Sequence, residues 1–64
     1  MNGGNYRVFR LDATGPLYRA AFDDLEEATR KAQEFATAEG FEFFVVSITD
    51  HREVGRYFPV RENG

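Results

Sequence analysis

Apolar and polar residues follow two rhythms along this chain. In "NYRVFRL" (Asn5 to Leu11) and "LYRAAF" (Leu17 to Phe22), β-branched and aromatic residues dominate short runs, as strands require. Between them "DATGP" carries Asp, Gly and Pro, a turn composition, so the two runs predict a β-hairpin. The rhythm then changes. In "DDLEEATRKAQEFATAEG", Leu25, Ala28, Ala32, Phe35 and Ala36 recur at helical spacing on one narrow face. Asp23 or Asp24 can accept from the free N–H groups of the first turn, and Glu26 or Glu27 completes a capping box. Gly40 suits the left-handed stop that ends a helix. Glu26 with Arg30 and Glu27 with Lys31 form i,i+4 pairs in the favourable order, each contributing roughly 0.2–0.5 kcal/mol. Alanines in the stripe predict close packing onto a sheet.

The strand rhythm returns in "FEFFVVSIT" (Phe41 to Thr49), whose run Phe43, Phe44, Val45, Val46 is apolar on both sides, as in a central strand. "GRYFPV" (Gly55 to Val60) is the fourth strand; Pro59 cannot donate to a ladder, which places it at an edge. The element order β-β-α-β-β predicts an α+β fold: a four-stranded antiparallel sheet with one helix on one face. Strand order 2-1-3-4 is the simplest arrangement. Order 1-2-3-4 with a parallel pair of second and third strands also obeys the connection rules.

One slender helix covers one face of such a sheet. Phe9, Leu11, Ala20, Phe22, Phe44, Val46, Ile48, Phe58 and Val60 are assigned to the helix side. Alternation then sends Tyr6, Val8, Arg10, Leu17, Arg19, Phe43, Val45 and Tyr57 to the open side. A one-residue slip exchanges the faces within a strand, but either register leaves large apolar groups on both sides. An open face of Tyr, Phe, Val and Arg has the composition of an interface, and those eight residues are its candidates.

Size and composition narrow the partners. The 64 residues form a single domain, 1–64, with 1–4 and 62–64 expected to be disordered ends and the opening Met read as the start of a complete small protein. A chain this short buries only about 60% of its unfolded surface, so a second copy of itself would ease its stability. The absence of cysteine removes disulfides and thiolate metal sites and fits a cytoplasmic place. No apolar run approaches the roughly 20 residues that span a bilayer, and no signal peptide opens the chain, so no membrane is expected.

The formal charge of −3 is unevenly spread. From Asp23 to Glu39 six acids face only Arg30 and Lys31, while the remainder holds six arginines against five acids. An acidic helix side and a near-neutral sheet follow. Tyr6, Arg10, Arg19, Phe43 and Tyr57 together would suit single-stranded nucleic acid by stacking and phosphate contact. The net negative charge and the lack of an RRM signature oppose that reading.

"DHREVG" brings Asp50, His51 and Glu53 together, with Arg52 between them, and a carboxylate beside an imidazole can serve proton transfer or a metal. Turns favour the same residues, and neighbouring side chains in a turn seldom converge. His51 and Arg52 are therefore read as an exposed loop that adjoins a contact. Ser47 lacks the glycines of a nucleophile elbow, and no phosphate-cradling glycine loop is present. No catalysis, cofactor or metal is expected.

Asp24, Glu27, Ala28, Ala32, Ala36, Gly40, Glu42 and Val45 follow a "T/D-x-x-E-A…A…A…G-x-E-x-x-V" type pattern. In these middle residues the chain resembles a family of small bacterial domains of unknown function with two hairpins around one helix. The resemblance implies a fold and carries no chemistry. The chain departs from it in lacking a tryptophan in the first hairpin and in having "DHREVG" where the family has a tight Asp-Gly turn. The expectation is a non-enzymatic interaction module that self-associates through its open sheet face. The alternatives are an inhibitor of a host protein encoded by a phage or mobile element, and a single-stranded nucleic-acid binder.

Overall fold

A computed structural model describes residues 4–60 of the chain. Five elements follow in order: β1 (Tyr6–Asp12), β2 (Gly15–Phe22), α1 (Leu25–Glu39), β3 (Glu42–Ser47) and β4 (Arg52–Tyr57). The strands form one antiparallel sheet in the order β2-β1-β3-β4, and α1 lies across one face. This is the α+β fold that the hydrophobic pattern predicts.

Local chemistry explains each boundary. Asp12 accepts from the N–H and the hydroxyl of Thr14 at 3.0 and 2.8 Å, closing the first turn, and Gly15 follows at φ 109°. These bonds hold the Asp12 carboxyl below its ordinary pKa, with Arg10 adding a smaller contribution. Asp24 caps α1 by accepting from Glu27 N–H at 3.1 Å, and Gly40 ends the helix in the left-handed conformation at φ 76°. Glu34, rather than Glu26 or Glu27, is the acid that Arg30 and Lys31 approach, at 3.9 and 3.4 Å.

The core is small and specific. Val8, Phe43 and Val45 from the two central strands meet Ala28, Ala32 and Ala36 of α1, and all six are fully buried. Three alanines, one helical turn apart, let the helix sit close on the sheet, and the Phe43 ring fills the gap beside Phe35 at 5.7 Å between centroids. Tyr6, Phe22, Val54 and Tyr57 pack around this centre.

The face assignment from alternation is therefore inverted on β1 and β3. Val8, Phe43 and Val45 lie under the helix, and Phe9, Phe44 and Val46 lie on the other side. Charge gives the reason. Arg7 shares a parity with Phe9, as Glu42 does with Phe44 in β3, and Arg56 of β4 is directly opposite Phe44. Turning that side inward would put three ions beneath an alanine-lined helix, where desolvation costs more than the pairing of Arg56 with Glu42 returns.

Two irregularities complete the inversion. Arg19 is an extra residue in β2, skipped where Val8 pairs with Ala20 and Phe9 with Tyr18. Val54 is skipped likewise in β4, where Val45 pairs with Gly55 and Val46 with Glu53. Each bulge breaks alternation, so Arg19 joins Ala20 and Phe22 on the helix side, and Val54 joins Tyr57. Ala20 and Phe22 thus keep their expected side, while Leu17, Arg19 and Tyr57 change theirs.

The fourth strand also begins earlier than its composition implies. The turn spans only residues 48–51, and β4 ends at Tyr57, so Pro59 lies beyond the ladder. The segment after it follows α1: Gln33 Nε2 donates to the Phe58 carbonyl at 2.8 Å, and Val60 N–H donates to Thr37 Oγ1 at 3.1 Å. At the other end Gly4 is ordered against the fold, buried and donating its N–H to Asp23 at 2.6 Å. The rest of the expected loose ends, 1–3 and 62–64, lies outside the described residues.

Candidate interaction surface

The side of the sheet away from α1 carries one continuous row of π-faces. Cross-strand register sets Tyr18 opposite Phe9, Phe9 opposite Phe44, and Phe44 opposite Arg56. The row therefore crosses all four strands from edge to edge. Phe9 meets Tyr18 edge to face at 6.0 Å and stacks on Phe44 at 5.4 Å with 14° between planes. The Arg56 guanidinium carbon stands 5.2 Å from the Phe44 centroid. Leu11 flanks the row between Pro16 and Glu42, and Arg7 and Val46 flank it on the other side beside Ala21 and Glu53.

These side chains pack only on one another. Phe9, Phe44, Leu11 and Val46 are half-buried by their neighbours in the sheet, and Tyr18 is 60% exposed. No described element crosses them. An uncovered strip of rings of this kind is the candidate contact surface of the domain.

The charges on this face balance: Arg7 and Arg56 against Glu42 and Glu53. Arg56 is held from three directions, donating to Glu53 through Nη2 at 2.7 Å and Nε at 2.9 Å, and to Glu42 through Nη1. Hydrogen bonding to Arg56 holds the Glu53 carboxyl below its ordinary pKa, and the two carboxylates raise that of Arg56. The planar fork is thus occupied in its own plane, and its flat side remains for a ring.

The eight residues expected to form the interface lie elsewhere. Val8, Phe43 and Val45 are sealed in the core, and Tyr6 and Tyr57 pack at its margin. Arg10 and Arg19 share one acid at the end of α1: Glu39 takes Arg10 at 3.2 Å and Arg19 at 3.0 Å through separate oxygens. Each guanidinium also covers a ring, Arg10 over Phe41 at 4.4 Å and Arg19 over Phe35 at 4.2 Å. They neutralise the negative end of the helix and are engaged within the fold. Leu17, opposite Arg10, is exposed beside them. The group Tyr6, Arg10, Arg19, Phe43 and Tyr57 consequently presents no nucleic-acid platform.

The histidine loop is a four-residue turn. His51 takes a left-handed conformation at φ 56°, and both His51 and Arg52 are exposed. Asp50 folds back on the end of β3: its N–H donates to Ser47 Oγ at 3.1 Å, and that hydroxyl approaches the Asp50 carboxylate at 3.3 Å. Ser47 is 1% exposed, so its hydroxyl serves the turn. Among the described residues no cluster of three His, Asp or Glu is positioned for a metal, no closed pocket is present, and no helix is long and apolar enough to cross a membrane.

Comparison with protein-family models, with curated proteins and with solved structures finds no match to this chain.

Phe9, Tyr18, Phe44 and Arg56 are the surface residues that simple alternation misplaces or omits. The parity of Arg7 and Glu42 is the signal in the chain that could have found the two phenylalanines.

Proposed function

We propose that this protein is a non-enzymatic interaction module that binds a second copy of itself through the bare face of its sheet. The row Tyr18–Phe9–Phe44–Arg56 carries the reading. Charge favours a second copy over an oppositely charged partner. The face is balanced, whereas six acids lie between Asp23 and Glu39 on the helix side. Face-to-face pairing keeps the two acidic helices on opposite outer surfaces. Four strands at about 4.8 Å and some six residues of about 3.3 Å give a plane of roughly 400 Å² per copy before side-chain relief. Doubled, that is about 800 Å² of flat area, short of the roughly 1,200 Å² of stable specific interfaces, so the reading is of a weak, transient dimer.

The non-enzymatic part rests on the reactive groups themselves. The single serine is buried and bonded to Asp50, the single histidine stands on an exposed turn, and there is no cysteine. A cytoplasmic place belongs to the same reading and rests on that cysteine-free composition.

Rings on the two central strands also favour single-stranded nucleic acid as a second reading. Against it, Glu42 and Glu53 occupy the arginine that would meet phosphate.

Sedimentation equilibrium tests the proposal. A monomer–dimer equilibrium is expected between about 1 and 100 µM. A strict monomer over that range overturns it and leaves a hetero-partner, such as a host protein met by an inhibitor, as the reading to pursue. Retention of a labelled oligonucleotide at low salt would support the second reading instead.

A further inference from the structure

We infer that the two copies are related by a two-fold axis running along the strands between β1 and β3, which sets each Tyr18 ring on the partner's Arg56 and each Phe9 on the partner's Phe44. This rests on the self-association reading and adds the geometry of the contact. When two identical faces oppose one another, their axis lies in the plane between them. An axis across the strands returns the row onto itself, with Tyr18 on Tyr18 and one acid-ringed guanidinium on another. An axis along the strands exchanges β2 with β4 and β1 with β3. Either axis leaves the strands of the two sheets close to aligned packing, so the choice rests on what the row opposes.

The order of the row suits only the second arrangement. Read from β2 it runs ring, ring, ring, guanidinium; reversed on the partner it offers guanidinium, ring, ring, ring. Tyr18, at 60% exposure, is the least covered ring of the row. Arg56 has its N–H groups bonded in plane to Glu53 and Glu42, so its flat side is the part available to a ring. The same axis brings Arg7, next to the row on β1, within reach of the partner's Glu53 on the exchanged edge strand.

The test uses the unaltered chain. Tyr18 and Arg56 lie on opposite edge strands, separated within one copy by about 14 Å, which is beyond a proton–proton nuclear Overhauser contact. An equimolar mixture of isotope-labelled and unlabelled protein, above its dimerisation midpoint, is recorded with isotope filtering. Contacts between the Tyr18 ring and the Arg56 side chain are expected. A dimer showing Tyr18–Tyr18 contacts, or lacking Tyr18–Arg56 contacts, overturns the axis and leaves self-association standing. A strict monomer in sedimentation overturns both. As a second measure, Tyr18→Ala and Arg56→Ala should each weaken dimerisation about threefold to tenfold, and the double variant no further than the larger single effect. Losses that multiply overturn the pairing.

Discussion

The tip of the Tyr57 ring lies over Gly55, two residues earlier on the same side of β4. A Cβ built on Gly55 would stand 2.9 and 3.0 Å from Cζ and Cε2 of that ring. The hydroxyl of Tyr57 reaches Thr29 of α1 at 3.4 Å, so the ring has little room to yield. Glycine is required here for space, since its φ is not in the left-handed region. Gly55→Ala is expected to destabilise the fold by about 1–3 kcal/mol through overpacking. Urea denaturation measures this, and Gly55→Ala with Tyr57→Ala should lose less than the sum of the two single changes.

Phe43 and Phe44 are neighbours in the chain with opposite duties. Phe43 is wholly buried against Phe35 and the alanine stripe, whereas Phe44 belongs to the bare face. Phe43→Ala should cost about 3–5 kcal/mol, comparable with the whole stability of so short a chain. Phe44→Ser should leave most of the melting transition while lowering the sedimentation-measured dimer fraction. Equal loss of fold in both variants would contradict the assignment of faces.

Glu39 is the shared acid of Arg10 and Arg19, and its carboxylate holds two cations that each lie over a ring. The pairs are partly exposed, Arg19 at 44%, so solvent screening reduces them. Glu39→Ala is expected to cost about 1 kcal/mol, with less effect at high salt. Chemical denaturation at two salt concentrations checks both parts.

Acid should weaken the fold through specific carboxylates. Hydrogen bonding to Arg56 lowers Glu53 from its ordinary 4.5, and hydrogen bonding to Thr14 lowers Asp12 from 3.8. A group whose folded pKa is depressed contributes its full stability above the unfolded value and loses it as pH falls through the folded value. Stability should therefore be flat above about pH 5 and decline below pH 4.5. Glu53→Gln should flatten the upper part of that decline in urea melts.

The helix and its limits are legible because caps are local chemistry: Asp24 and Gly40 act on their own backbone neighbours. The hairpins are legible for the same reason, with Asp12 and Gly15 shaping one turn and Asp50 the other. Which sheet face turns inward is a collective matter. With Phe43, Phe44, Val45 and Val46 in one run, hydrophobicity alone is symmetric. Position of the ions breaks that symmetry, because Arg7 and Glu42 share one side, while Arg10 can reach Glu39 past the end of α1. The extra residues Arg19 and Val54 have no local mark, since a bulge depends on how the opposite strand is shaped. The lateral row from Tyr18 to Arg56 inherits both uncertainties, and so emerges only from the register.

The irregularities in β2 and β4 interrupt the only two rims at which further strands could be appended. Side-by-side growth into fibrils consequently lacks a straight template at either end of the sheet. Under the proposed face-to-face association, copies join layer on layer, and among the described residues each has one uncovered sheet layer to give. Stacking of that kind would terminate at two chains.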